Sequence, residues 1–173
     1  MKMQRFACLG VTAALALAGA ACGAGQSPTA SATAARTSQY SCPFDQVFDA
    51  ATQSMEQEFK TLASKDKAQA AIISTPRWHD KDGMSRREGV ATSELKNGDL
   101  ALAVRVRIVD LKPNFQIQVD AVVKQYTSGS PQPRDVPEGD PQRPAWVQGR
   151  LDKVAADIHG RLESCAALVR EPH

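Results

Sequence analysis

The sequence predicts an α+β domain. A four-stranded antiparallel sheet carries an N-terminal and a C-terminal helix on one face, in the order α-β-β-β-β-α. Three observations lead there. Residues 44–62 and 146–169 repeat apolar side chains at steps of three and four, the helical period. Residues 100–108 and 115–123 alternate apolar with polar, the period of a half-buried strand. Turn signals separate the strands closely enough for antiparallel neighbours.

The first helix opens at "SCPFD", where Ser41 or Cys42 can cap and Pro43 suits the first turn. Phe44, Val47, Phe48, Ala51, Met55, Phe59 and Leu62 form its stripe, to about Ala63, and such a stripe is a core face. "AAIISTP" (70–76) reads as a short strand ended by proline, and "RWHDKDGMS" as a loop turning at Asp82-Gly83. "REGVATSEL" (87–95) is the second expected strand, followed by the hairpin signal Asn97-Gly98.

The third strand has the clearest pattern. Leu100, Leu102, Val104, Val106 and Ile108 share one face, and Arg105 and Arg107 the other. After "LKPN", Phe115, Ile117, Val119, Ala121 and Val123 alternate with Gln116, Gln118, Asp120 and Lys124. Residues 127–144 are a long loop rich in proline and glycine. Trp146 then opens the last helix, striped by Val147, Leu151, Val154, Ile158, Leu162, Cys165 and Val169. The folded domain is expected over 40–170, large enough to bury roughly two-thirds of its chain surface.

The N-terminus reads differently. Lys2 and Arg5 precede an apolar run over 6–18 and the small residues Gly19-Ala20-Ala21. That is the layout of a secretory signal peptide over 1–21. The run is too short to span a bilayer, which takes about 20 apolar residues. The chain has 21 basic and 19 acidic residues, so loss of Lys2 and Arg5 leaves 19 of each. A neutral domain with 5% aromatics has no nucleic-acid footprint.

Four cysteines are present: Cys8, Cys22, Cys42 and Cys165. Cys8 leaves with the signal peptide. An even number of antiparallel strands makes the two helices antiparallel. Cys42, at the start of the first helix, and Cys165, near the end of the second, then fall at one end of the domain. A Cys42–Cys165 disulfide follows, worth about 4–5 kcal/mol in the chain-entropy model; the alternative is two buried free thiols. Cys22 is left odd in an oxidising compartment.

Leu17-Ala18-Gly19-Ala20-Ala21-Cys22 resembles the lipobox of bacterial lipoproteins. The small residue before Cys22 matches. Gly19 stands where an aliphatic residue is usual, and Leu17 comes two positions early. The resemblance implies that Cys22 is acylated, palmitate included, and anchors the protein in a membrane. Gly23 in place of aspartate implies the outer membrane, facing the periplasm, in a Gram-negative host. Residues 22–39 are Gly, Ala, Ser and Thr with little else and read as a flexible tether.

Catalytic patterns are scarce. His79, His159 and His173 have no ligand at metal spacing and read as solvated. No phosphate loop or Gly-x-Ser-x-Gly elbow occurs, and no pattern requires a cofactor. "HDKDG" lacks the alternating acids and distant glutamate of a calcium loop. The expectation is a non-enzymatic protein. Its candidate partner surface is Arg77, Trp78, Arg86 and Arg87 with Arg105 and Arg107, since tryptophan and arginine are favoured at interface hot spots. A solvated face is the plainer reading of the same residues.

Ile73, Thr75 and Arg77 at alternate positions, followed by Trp78, with a long helix before them and a hairpin and late helix after, are similar to the helix-grip modules of BamC-type outer-membrane lipoproteins. The similarity covers most of 43–170. It implies an accessory, non-enzymatic part in envelope assembly, binding another envelope protein. The second functional expectation is a carrier holding a hydrophobic ligand between helices and sheet.

Overall fold

The computed structural model describes residues 28–168. The expected signal peptide over 1–21 and Cys22 lie outside the described residues, as does Val169. Among the described residues the fold is α+β, with an antiparallel sheet and three helices: α1 (Pro28–Thr37), α2 (Phe44–Phe59) and α3 (Ala145–Leu162). The sheet has eight strands, which corrects the expected four. They are β1 (Ser38–Tyr40), β2 (Leu62–Asp66), β3 (Ala71–Ser74), β4 (Arg77–His79), β5 (Leu100–Asp110), β6 (Phe115–Gln125), β7 (Arg134–Asp135) and β8 (Ala166–Leu168). The order is β2-β3-β5-β6-β1-β8, with β4 also on β5 and β7 on β6.

Four of the five extra strands have one physical cause. β1, β4, β7 and β8 are two or three residues long, too short for an alternation to register. β3 and β4 are halves of one path along β5, with Ile72 opposite Val106 and Arg77 opposite Leu102. Pro76 has no N–H to give the ladder and splits them. The buried Ser74 hydroxyl fills the gap by accepting the Val104 N–H at 2.9 Å.

Four segments differ from expectation: α3 ends at Leu162, with Cys165 in a 3-10 turn before β8 where the expected helix continues, and three others follow. α2 ends at Phe59, not near Ala63, because Lys60 turns the chain with φ +61 and the next residues enter β2. Leu62 fits both a helical stripe and a strand alternation. Residues 87–95 are not a strand; they hold a single 3-10 turn, Thr92–Glu94, bound by side-chain ion pairs. The expected tether is folded from Pro28 onward, as α1 and β1. Among the described side chains of α1 the buried ones are Ala32 and Ala35, so no large apolar residue announced it.

All three helices lie on one side of the sheet, α3 between the other two. Val47, Met55, Ile72, Leu102, Val104, Val106, Leu151 and Ile158 fill the space between the layers. β5 and β6 pair along their whole length, Leu100 opposite Gln125 to Asp110 opposite Phe115. Their other face carries Arg105, Arg107, Asp120 and Val122. Cys42 and Cys165 are disulfide-bonded with Cα atoms 5.6 Å apart. The bridge joins the β1–β8 ribbon, where Ser41 N–H donates to the Cys165 carbonyl at 3.0 Å.

Tyr40 is fully buried at that seam, its hydroxyl 3.1 Å from His159 Nδ1. Burial pushes its phenol up to about 12 from 10.0. The fold therefore holds Tyr40 neutral where an unfolded chain would ionise it. This contribution is complete below pH 10 and is lost as pH rises from about 10 to about 12. Denaturant titrations across that window are expected to show a steeper loss of stability in the native protein than in Tyr40→Phe; parallel curves would refute it.

Candidate functional site

The break between β3 and β4 builds the site. A cavity of about 240 Å³ opens at this sheet edge, between Thr61, Thr75 and Pro76 on one side and Arg87, Glu88, Gly89 and Val90 on the other. Arg77 and Trp78, neighbours on β4, also line it. Three of the six residues expected at a partner surface thus meet in one cleft. Trp78 lies on the outer face of the sheet, half-buried, its ring edge-on to Tyr126 at 6.4 Å. Arg77 reaches Glu88 at 3.8 Å and Arg87 pairs with Glu94. The hydrogen bond from Arg87 holds the Glu94 carboxyl below its usual range.

The other three arginines lie elsewhere. Arg86 turns inward and clamps Asp99, its Nη2 donating to Oδ1 at 2.9 Å and its Nε to Oδ2 at 3.2 Å. Asp99 is only 2% exposed and also accepts the Lys96 N–H at 2.9 Å. The same bond raises Arg86 above the usual guanidinium value. This pair fixes the loop that walls the cleft. Arg105 and Arg107 both reach Asp120 on the open sheet face, at 3.0 and 3.3 Å. They form an ion cluster between β5 and β6, not a cleft wall.

His79 corrects the reading of a solvated histidine. It is the last residue of β4, 2% exposed, with its ring against Trp146 at 5.2 Å between centroids. Desolvation lowers its pKa below the ordinary imidazole value, and Arg150 adds to the shift. The loop it opens is hooked onto α3. Trp146 Nε1 donates to the Lys81 carbonyl at 3.1 Å and Arg150 Nη2 to that of Gly83 at 3.2 Å. Arg150 also pairs with Glu58 of α2 at 3.2 Å. A charged-looking heptad such as "RWHDKDG" hides this, since the apolar partner is a tryptophan 67 residues away.

Gly83 has φ +84, and a Cβ there would lie 2.8 Å from the Trp146 ring. Gly83→Ala is therefore expected to lose about 2–3 kcal/mol from strain and overpacking together. Unchanged denaturation midpoint and unchanged tryptophan emission would refute it.

A groove of about 490 Å³ between α2 and α3 is lined by Asp45, Asp49, Gln53 and Arg161 together with Pro43, Ala50 and Leu162. Among the described residues, no group of three or more His, Cys, Asp or Glu is placed to hold a metal ion, and no helix is long and apolar enough to cross a membrane. No protein-family model matches this chain, and no curated protein matches it.

Proposed function

We propose that this chain is an exported, non-enzymatic lipoprotein of the cell envelope, anchored through Cys22, whose domain docks another envelope protein at the Arg77–Trp78–Arg87 cleft. The observation that supports the anchor is the Cys42–Cys165 bridge. It uses both domain cysteines and leaves Cys22 with lipid as its economical partner. The likeness to BamC-type modules points the same way, toward an accessory assembly role at the outer membrane. The cleft is lined by Arg77 and Arg87, held by Glu88 and Glu94, together with Trp78, and arginine and tryptophan are the residues favoured at interface hot spots. Its volume suits one or two side chains rather than a free ligand, since ligand pockets run to about 300–1,000 Å³. The filled core between helices and sheet favours this over the carrier reading.

The test uses native envelopes. A photoreactive residue replacing Trp78 is expected to capture one specific protein. Arg87→Glu in the same chain should reduce the yield severalfold while leaving the melting temperature unchanged, since Arg87 is largely exposed. Capture unaffected by Arg87→Glu, or a co-purifying lipid with no protein, would overturn the docking reading. Cys22→Ser should release the protein from membranes; retention there would overturn the anchor.

A further inference from the structure

We propose that the end of the domain carrying residues 80–85 lies against the lipid surface, with Met84 as the side chain that enters it. This rests on the anchor at Cys22 and adds an orientation to it. Pro28 begins α1 only six residues after Cys22, a span of about 20 Å at full extension. The direction of α1 then decides which end of the domain is leashed.

α1 runs alongside α3 in the same sense. The Ala35 carbonyl, near its end, accepts from the Tyr40 hydroxyl, which meets His159 near the end of α3. Arg36 reaches Asp152 at 2.6 Å, two turns closer to the start of α3. A helical side chain leans toward the start of its own helix, so the start of α1 points to the start of α3. That end holds Trp146, the His79–Leu100 pair and the loop hooked on Trp146. The disulfide and the turn at Leu111 sit at the other end, where Asp110 pairs with Phe115.

Met84 is 69% exposed, the most exposed large apolar side chain of the described residues. It is not held loosely. Its N–H donates to the Asp80 carboxylate at 2.9 Å, its carbonyl accepts the Asp80 N–H at 3.0 Å, and the Asp82 N–H shares the same carboxylate oxygen. Those backbone bonds keep the Asp80 carboxyl below its usual range. A rigid turn thus holds an apolar side chain in the open, on the leashed end. Lys81 beside it can extend its charge toward phosphates while its stem stays apolar. Asp82 next to Lys81 cancels that charge, so the contact is apolar in origin and insensitive to salt.

The test uses the full-length, lipidated protein in vesicles of phosphatidylethanolamine and phosphatidylglycerol with brominated acyl chains. With Cys22 acylated and Cys42–Cys165 bridged, Met84→Cys supplies the one free thiol for a bimane label. Leu111→Cys supplies the same label at the far end. Bromine is expected to quench the label at 84 severalfold and leave that at 111 unchanged, at low and high salt alike. Quenching at 111 and not at 84, or at neither in vesicle-bound protein, overturns the orientation. Vesicle binding unchanged by Cys22→Ser, or no acyl mass on Cys22, overturns the anchor itself, and the orientation with it.

Discussion

Removing the Cys42–Cys165 bridge is expected to lower the melting temperature by about 15 °C, the larger of the two main effects predicted for this protein. The bridge spans 123 residues. In the chain-entropy model, closing a loop of that length removes about 5 kcal/mol of freedom from the unfolded chain. For a domain of this size each kcal/mol moves the midpoint by about 3 °C. The loss should be uneven. β1 and β8 are three-residue strands joined to β6 at one position, Tyr40 opposite Phe115. Beside their own three-pair ladder, they are held by the bridge, by the buried Tyr40 and Ser38, and by hydrogen bonds from Ser41 to the Cys165 carbonyl and from Asn114 to Gln39. In the Cys42→Ser, Cys165→Ser double variant, amide exchange is expected to rise first over 38–41 and 165–168. The long β5–β6 ladder should keep its protection. A shift of less than about 3 °C, or uniform exchange, would show that the bridge merely decorates a fold that stands without it.

Asp99→Ala should be nearly as damaging. The carboxylate is buried and takes three hydrogen bonds, two from Arg86 and one from the Lys96 backbone. Removing one member of a buried pair costs about 3–5 kcal/mol, because the other charge is left without its partner. The midpoint should fall by about 10 °C. Proteolysis should begin within 86–98, since this pair is what pins that loop to the sheet. The double change of Arg86→Met with Asp99→Leu, which removes both charges, is expected to recover much of the loss. A neutral Asp99→Ala would mean that the loop is held by something other than this pair.

Much of the fold was legible where a period runs long enough to be read. The β5–β6 hairpin, the α2 stripe and the Asn97-Gly98 and Asp82-Gly83 turns stand where pattern placed them, within a few residues at the ends, while α3 stops at Leu162 and the tail of its expected stripe is a 3-10 turn and β8. The disulfide was legible too, through an argument whose parts partly failed. The reading took 87–95 for a strand, which is loop, and missed β2, which hid under the tail of a helical stripe. The two errors offset each other. Four antiparallel strand paths, with β3 and β4 counted as one, separate α2 from the long loop before α3, and the two-residue β7 lies inside that loop, so α2 and α3 still run antiparallel and Cys42 meets Cys165.

The site was harder to read. Six residues looked alike as exposed arginine and tryptophan, yet three line a cleft, Arg86 is locked on Asp99, and Arg105 and Arg107 share Asp120. Nothing in local sequence distinguishes these fates, because each depends on a partner on another strand or loop. His79 makes the same point, buried by a tryptophan on α3.

By itself the sequence determined the class of fold, the long elements and the pairing of its cysteines. Period, turn chemistry and cysteine count act between near neighbours, or constrain the chain as a whole. The tertiary structure decided the short strands, the folding of residues 28–40, and which arginines line the cleft. Those depend on hydrogen bonds and buried area shared between distant segments: a two- or three-residue strand, or an alanine-faced helix, gains its stability only once the neighbouring layer is in place.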